Sequence, residues 1–285
     1  MSDEPLIDFQ QVTYAYPARR GGQGALGLRD LTLQIRRGEY LALLGHNGSG
    51  KSTLARHCNA LLVPDHGRVL VAGHDTRDAA RRRAVRERVG MIFHNPDNQI
   101  IATVVEDDVA WGLAARGLPR DQIRERVAWA LAAVGIDDLR GRPPHRLSGG
   151  QRQRLAIAGV LALRPQAIVS DESTAMLDPL SRRAVVELLH QLNRDHGLTV
   201  VHVTHLVEEA AAADRVVVME RGQVALDGPP ALVFADLDRL RALRLAIPAP
   251  LELAARLRAM GVAIDPAALT VEAIAREIEA RFHPA

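Results

Sequence analysis

The run Gly45-His46-Asn47-Gly48-Ser49-Gly50-Lys51-Ser52-Thr53 carries the most specific chemistry in this chain. It fits G-x-x-x-x-G-K-[ST], a loop that holds the phosphates of a nucleotide. Glycine at positions 45, 48 and 50 lets the backbone turn so that several N–H groups face one anion. A helix leaving the loop adds its positive N-terminal end. Lys51 is then placed to reach the β- and γ-phosphates, and the Ser52 hydroxyl to ligate Mg²⁺. Lysine and arginine total 36, and Lys51 is the only lysine, so 36 − 1 = 35 are arginines. A compact ammonium on a flexible stem fits between phosphate oxygens, where a planar guanidinium does not substitute.

Holding phosphates is not hydrolysis. Hydrolysis also needs a metal-anchoring carboxylate, a group that activates water and a sensor of the γ-phosphate. Asp171 closes an apolar run over 166–170, so a strand there delivers its carboxylate to the carboxyl edge of a sheet. Glu172 follows and can take a proton from an attacking water. His205 follows a second expected strand, 199–204, and can hydrogen-bond the γ-phosphate or the water. Taken singly, an Asp-Glu pair after a strand also reads as a helix N-cap, and a strand-end histidine as a structural one. Their order behind the phosphate loop makes them a set.

The elements that must position these groups follow from the pattern. Residues 6–16 alternate as a strand, 17–24 form a turn-rich break, and 31–35 alternate again. Strands are expected at 40–44, 68–72, 89–93, 166–170 and 199–204, with a strand pair at 215–219 and 223–226. Helices are expected at 52–62, 78–88, 152–163, 181–195 and 206–213, and between 104 and 163 around breaks at 117–119 and 141–144. Strands alternating with helices give an α/β fold with a mainly parallel sheet, beside an antiparallel β layer. From about Asp236 the pattern changes to a small helical element, with helices at 251–260 and 271–282.

Bulk properties narrow the function. The 285 residues suffice for one large core plus a small appendage. A net charge of +2 with pI near 9.1 reflects arginine richness more than a nucleic-acid footprint, and 3% aromatics supply few base-stacking platforms. Cys58 alone argues against a disulfide scaffold and for a reducing compartment. The acidic start, Met1 to Pro5, lacks an apolar signal region, and no apolar run is long enough to cross a membrane.

Leu147-Ser148-Gly149-Gly150-Gln151 is similar to the signature motif of ABC-type ATPases, and its separation from the phosphate loop resembles that family too. The resemblance covers residues 5–230. It implies a P-loop NTPase with a RecA-like, mainly parallel sheet, an antiparallel β layer and an inserted helical subdomain at about 95–165. Residues 1–235 are then the nucleotide-binding domain, and 236–285 a C-terminal helical element that contacts a second subunit. ATP and Mg²⁺ are the implied cofactors. Tyr16 matches the aromatic that stacks on adenine, Gly45 to Thr53 match Walker A, and residues 168–172 match Walker B with Glu172 as catalytic base. Asp178 lies in the match to the dimer-contacting D-loop, and His205 matches the switch histidine. Ser52 and Asp171 are the implied Mg²⁺ ligands. Residues Leu147 to Gln151 would cap the γ-phosphate bound by an opposite subunit. The physics agrees: a Ser hydroxyl, two glycines and a helix N-terminus make a second anion site. A whole helical segment separates it from its own phosphate loop, so two subunits placed head to tail, with ATP between them, complete the site.

Asn95-Pro96-Asp97-Asn98-Gln99, residues 103–108 and the tail beyond Asp236 resemble the ATPases of energy-coupling-factor transporters, which import vitamins or metal ions such as cobalt and nickel. That implies a second ATPase subunit, either another copy or a sister ATPase (homo- or heterodimer), a transmembrane coupling protein and a substrate-binding membrane protein as partners, no nucleic acid, and a place at the cytoplasmic face of the membrane. His94 would sense the γ-phosphate and pass motion to the membrane partner, though the family usually has glutamine there. Ser170 and Ser173 also depart, from an apolar residue and a proline, beside an acidic pair that is intact. Rival readings are a soluble ABC ATPase acting on DNA or the ribosome, a weakly hydrolysing ATP-binding switch and a phosphate-loop kinase. The first lacks its usual coiled-coil insertion or zinc cysteines, intact Glu172 and His205 speak against the second, and the third leaves the signature unexplained.

Overall fold

The computed structural model describes residues 4–17, 24–265 and 268–282, so most of the break expected at 17–24 lies outside the described residues. The strands are β1 (Ile7–Ala15), β2 (Leu26–Ile35), β3 (Tyr40–Leu44), β4 (His66–Val71), β5 (His74–Asp75), β6 (Val89–Ile92), β7 (Ala167–Asp171), β8 (Thr199–Val203), β9 (Arg215–Glu220) and β10 (Gln223–Gly228). They form an antiparallel sheet of order β2-β1-β4-β5 and a six-stranded sheet of order β10-β9-β3-β8-β7-β6, parallel except for β10. The helices are α1 (Lys51–Cys58), α2 (Arg82–Arg88), α3 (Val105–Ala115), α4 (Arg120–Ala133), α5 (Gly149–Leu161), α6 (Pro179–His196), α7 (Val207–Ala210), α8 (Pro230–Val233), α9 (Leu237–Ala242), α10 (Ala249–Ala259) and α11 (Val271–Phe282).

Strands β3, β7 and β8 are buried along their whole length, as parallel strands covered on both faces must be. Successive side chains point to opposite faces. Leu41 and Leu43 of β3, Val201 and Val203 of β8 and Val217 of β9 join a core with Phe9, Val69 and the α1 residues Leu54 and Cys58. Helix α1 therefore packs into the core that the two sheets share. Tyr40, Ala42 and Leu44 face the opposite core, with Val109 of α3, Leu131 of α4, Ile157 of α5 and Leu189 of α6. The helices inserted between β6 and β7 thus share a core with the sheet. Leu240, Leu243, Leu245 and Leu251 belong to it as well, whereas Ala254, Ile264, Ala268 and Ile274 make a small separate cluster with α10 and α11.

The topology gathers one edge. Strands β3, β8 and β7 are parallel neighbours in register, Leu43 beside Val203 and Val203 beside Asp171. The segments that follow Leu44, Asp171 and Val203 consequently emerge together at the carboxyl edge.

Several element ends differ from the pattern-based expectation. Helix α1 stops at Cys58, not 62, because Ala60 turns left-handed (φ 56°) and the amides of Leu61 and Leu62 both fold back to the Arg56 carbonyl. Helix α2 starts at Arg82, not 78, after an Asx turn in which the Ala80 amide donates to Asp78 Oδ1 at 2.9 Å. Helix α5 begins at Gly149, earlier than 152, because Ser148 caps it. Helix α7 ends at Ala210, not 213, since Asp214 is tied into the sheet by backbone and side-chain bonds to Tyr40.

The packing of β6 on α5 leaves no room for a side chain at Gly90, where a Cβ would collide with Val160 Cγ1. Gly90→Ala is expected to destabilise the fold by about 1–3 kcal/mol through overpacking. Chemical denaturation should show that loss, and the double variant Gly90→Ala/Val160→Ala should recover part of it.

Candidate functional site

After β3 the chain must reverse within a few residues. Gly45 (φ 149°), Gly48 (φ 82°) and Gly50 (φ 107°) adopt positive φ. Space matters as well: a Cβ on Gly45 would lie 2.5 Å from Ser49 Oγ, and one on Gly50 2.6 Å from the Gly27 carbonyl. The loop is tied down by Ser49 N–H donating to His46 O at 3.1 Å and Gly222 N–H donating to Ser49 O at 2.8 Å. His46 Nδ1 lies 2.7 Å from Asn47 O, Ser49 is buried, and Asn47 and Gly48 form the exposed tip. Gly50 caps α1 without a side chain, which leaves the first-turn amides to an anion.

Four groups converge here. Lys51 Nζ, almost fully buried, donates to Gly45 O at 2.8 Å and His46 O at 3.1 Å and lies 3.5 Å from Glu172 Oε1. Burial pulls its ammonium below the usual lysine range, and Glu172 opposes the shift. Ser52 Oγ donates to Asp171 Oδ1 at 2.8 Å. Burial pushes the Asp171 carboxyl up, against the Ser52 bond. Glu172 itself sits in left-handed backbone (φ 51°), a conformation that costs a non-glycine residue on the order of 1–3 kcal/mol. Its amide donates to Val203 O at 3.1 Å, which joins the ends of β7 and β8.

Ser52 and Asp171 present hard oxygens, and no group of three or more His, Cys, Asp or Glu side chains able to hold a metal occurs among the described residues. This donor set fits an ion such as Mg²⁺, which takes one or two protein oxygens and completes its shell with water and substrate phosphates.

Tyr16, just past β1, lies with its hydroxyl 3.1 Å from Thr53 Oγ1, and its ring meets Tyr14 edge-on at 5.1 Å. Tyr14 in turn meets His57 of α1 edge-on at 5.0 Å, so the Tyr16 ring is braced beside the phosphate loop. His205 is exposed two residues past β8, and His94 is exposed two residues past β6. Ser148 and Gln151 form a capping box: Ser148 Oγ accepts from the Gln151 amide at 3.3 Å, and Gln151 Oε1 accepts from the Ser148 amide at 2.9 Å. Leu147 is buried and anchors this turn, while Gly149 passes close to Leu177. A Cβ on Gly150 would come within 2.8 Å of Ser181 Oγ on α6, so close packing also requires that glycine. Asp178 caps α6, accepting from the amides of Leu180 and Ser181, and hydrogen bonding from the Ser181 side chain first, then from these amides, holds its carboxyl below the usual range. Among the described residues, no hydrogen bond or ion pair links Ser148–Gln151 to the Gly45–Thr53 loop.

One connection was not legible beforehand. Arg152 Nε lies 3.1 Å from Asp97 Oδ1, off the line of a hydrogen bond, while its Nη1 donates to Leu147 O at 2.7 Å. The loop after His94 and the signature turn are thus joined by one side chain. Ser170 and Ser173, the two departures beside the acidic pair, bond to each other at 2.6 Å and satisfy one another in the core.

Comparison with known proteins agrees with this geometry. The ABC transporter family model matches residues 28–175. The chain is 54% identical over 272 residues to the energy-coupling factor transporter ATP-binding protein EcfA1 of Symbiobacterium thermophilum, covering 94% of each. It is 46% identical over 267 residues to the protein of that name from Caldanaerobacter subterraneus subsp. tengcongensis, covering 94% of this chain and 96% of the relative. Among solved structures, cbiO1 from Clostridium perfringens, described as part of the ABC transporter complex cbiONQ, superposes with TM-score 0.76 at 36% identity, covering 88% of this chain and 99% of that one. The ATP-binding cassette MJ0796, solved as a dimer bound to ADP and Pi, gives TM-score 0.71 at 28% identity, covering 79% and 99%. The chain belongs to the ABC transporter ATPases and, within them, to the family of energy-coupling factor transporter ATP-binding proteins.

Proposed function

We propose that this protein hydrolyses ATP in sites shared between two subunits and so drives an energy-coupling-factor importer from the cytoplasmic face of a membrane. The observation that carries this reading is the convergence of Lys51, Ser52, Asp171 and Glu172 at one sheet edge, with Ser148 making no bond to its own phosphate loop. ATP would bind along Gly45 to Thr53, with adenine on Tyr16. Lys51 would exchange its loop carbonyls for the β- and γ-phosphates. Ser52 and Asp171 would hold Mg²⁺, which supplies charge neutralisation at the phosphates when bound. Glu172 takes the proton of the attacking water, and His205 and His94 contact the γ-phosphate side. Leu147 to Gln151 of each subunit would close over ATP on the other, with Asp178 at the seam between them. The described chain has no helix long and apolar enough to cross a membrane. The membrane-spanning work therefore falls to partners: a transmembrane coupling protein and a substrate-binding protein that chooses a vitamin or metal ion as cargo. The description of cbiO1 as part of a complex supports such an assembly.

Glu172→Gln should slow phosphate release by roughly 10²-fold or more, the size of a general-base contribution. It should also accumulate an ATP-bound dimer on size-exclusion chromatography with Mg-ATP. Parent-like turnover would remove Glu172 from the role of base.

The shared site has its own test. Lys51→Ala and Ser148→Arg subunits should each be inactive alone. Mixed, they should regain roughly a quarter of parent activity, since half of randomly paired dimers carry one intact composite site. No recovery in a mixture shown to exchange subunits would overturn the shared-site reading.

A further inference from the structure

Behind the sheet edge lies a carboxylate that the mechanism does not use. Glu209, in α7, is 5% exposed. Its Oε2 accepts from Thr174 Oγ1 at 3.1 Å and from His202 Nε2 at 3.0 Å. Its Oε1 faces Arg182 Nε at 3.8 Å and has no hydrogen-bond partner among the described residues. Burial works to raise the carboxyl, and the bonds to its neighbours outweigh it and hold the group below the usual range, as an anion. Space alone does not call for a buried, half-satisfied anion, since buried ion pairs can often be replaced as a whole by apolar side chains at no cost in stability.

What the anion joins gives it a use. His202 lies on β8, three residues before His205. Thr174 lies two residues after Glu172, in a turn closed by Ala175 N–H to Glu172 O and Leu177 N–H to Thr174 O. Arg182 lies on α6 and donates from Nη2 to Leu177 O at 3.3 Å, beside Asp178. One oxygen therefore bridges the strand that leads into His205, two residues past its end, and the turn that follows the left-handed Glu172. We propose that Glu209 is a positioning residue for ATP hydrolysis, which through Thr174 and His202 fixes Glu172 relative to His205. The inference rests on the roles given above to Glu172 and His205.

The test is steady-state phosphate release by the purified full-length chain against Mg-ATP concentration, with thermal unfolding as a control. Glu209→Ala should lower kcat by about 10–100-fold, the scale of an ångström's misplacement of catalytic groups, and leave KM within about twofold, since the phosphate loop is untouched. Glu209→Gln keeps an oxygen where both bonds converge, so it should return kcat to within about fivefold of the parent. Thr174→Val removes one of those bonds without changing volume; it should lower kcat by about tenfold and add nothing on top of Glu209→Ala, because both break the same link. An unchanged kcat in Thr174→Val, a loss confined to KM, or effects that multiply in the double variant would each overturn the proposal. If Glu209→Ala does not fold, Thr174→Val and Glu209→Gln decide. An active Glu172→Gln would mark failure of the underlying site reading; an inactive Glu172→Gln beside a fully active Thr174→Val would mark failure of this inference alone.

Discussion

A buried ammonium is the constraint on which this molecule turns. Lys51 Nζ has two carbonyls and one carboxylate for company. Left unpaired, a charge at that depth would cost several kcal/mol. The loop therefore wraps its own cation, and its glycines accept the positive φ values that this wrapping requires. In the function proposed above, phosphate oxygens entering the loop would exchange partners with a group already aimed at them. Little reorganisation remains to be done when charge develops, which is the physical basis of electrostatic preorganisation.

The two acidic residues divide their work by environment. Asp171 ends a wholly buried strand and has a hydroxyl to bond, so it is fixed and desolvated. Glu172 is one residue further, in strained backbone and partly open to solvent. Adjacent positions of a strand point to opposite sides, and the left-handed step at Glu172 re-aims its side chain toward Lys51. Two carboxylates adjacent in sequence are thereby turned to different partners.

Helix α5 has one end in the core and the other at the surface. Its body packs against β6 and shares the core of the sheet, while its first turn presents Ser148 to solvent. Arg152 joins that first turn to the loop beyond His94 through Leu147 and Asp97. One side chain thus lies between the loop that follows β6 and the first turn of α5.

The strands were legible because parallel strands buried on both faces are short, mainly apolar runs: β3 is unbroken, and β7 and β8 are interrupted only by Ser170, Asp171, Thr199 and His202. Helix ends were read less well: α1, α2 and α7 stop or start where a left-handed residue, an Asx turn or a bond to a neighbouring strand intervenes. None of those leaves a trace in hydrophobic periodicity. The family resemblance rested on motifs whose spacing is local, such as Gly45 to Thr53 and Leu147 to Gln151.

By itself the sequence determined which residue types stand at the spacing expected of a phosphate and hard-cation site, since that depends on residue type and short spacing. Only the tertiary structure decided that Ser52 meets Asp171 and Lys51 meets Glu172, and that Glu209 draws Thr174 and His202 onto one oxygen. The reason is strand order: β8 runs between β3 and β7, and pairings between strands far apart in the chain are set by the sum of buried contacts across both sheet faces, which no stretch of sequence records alone.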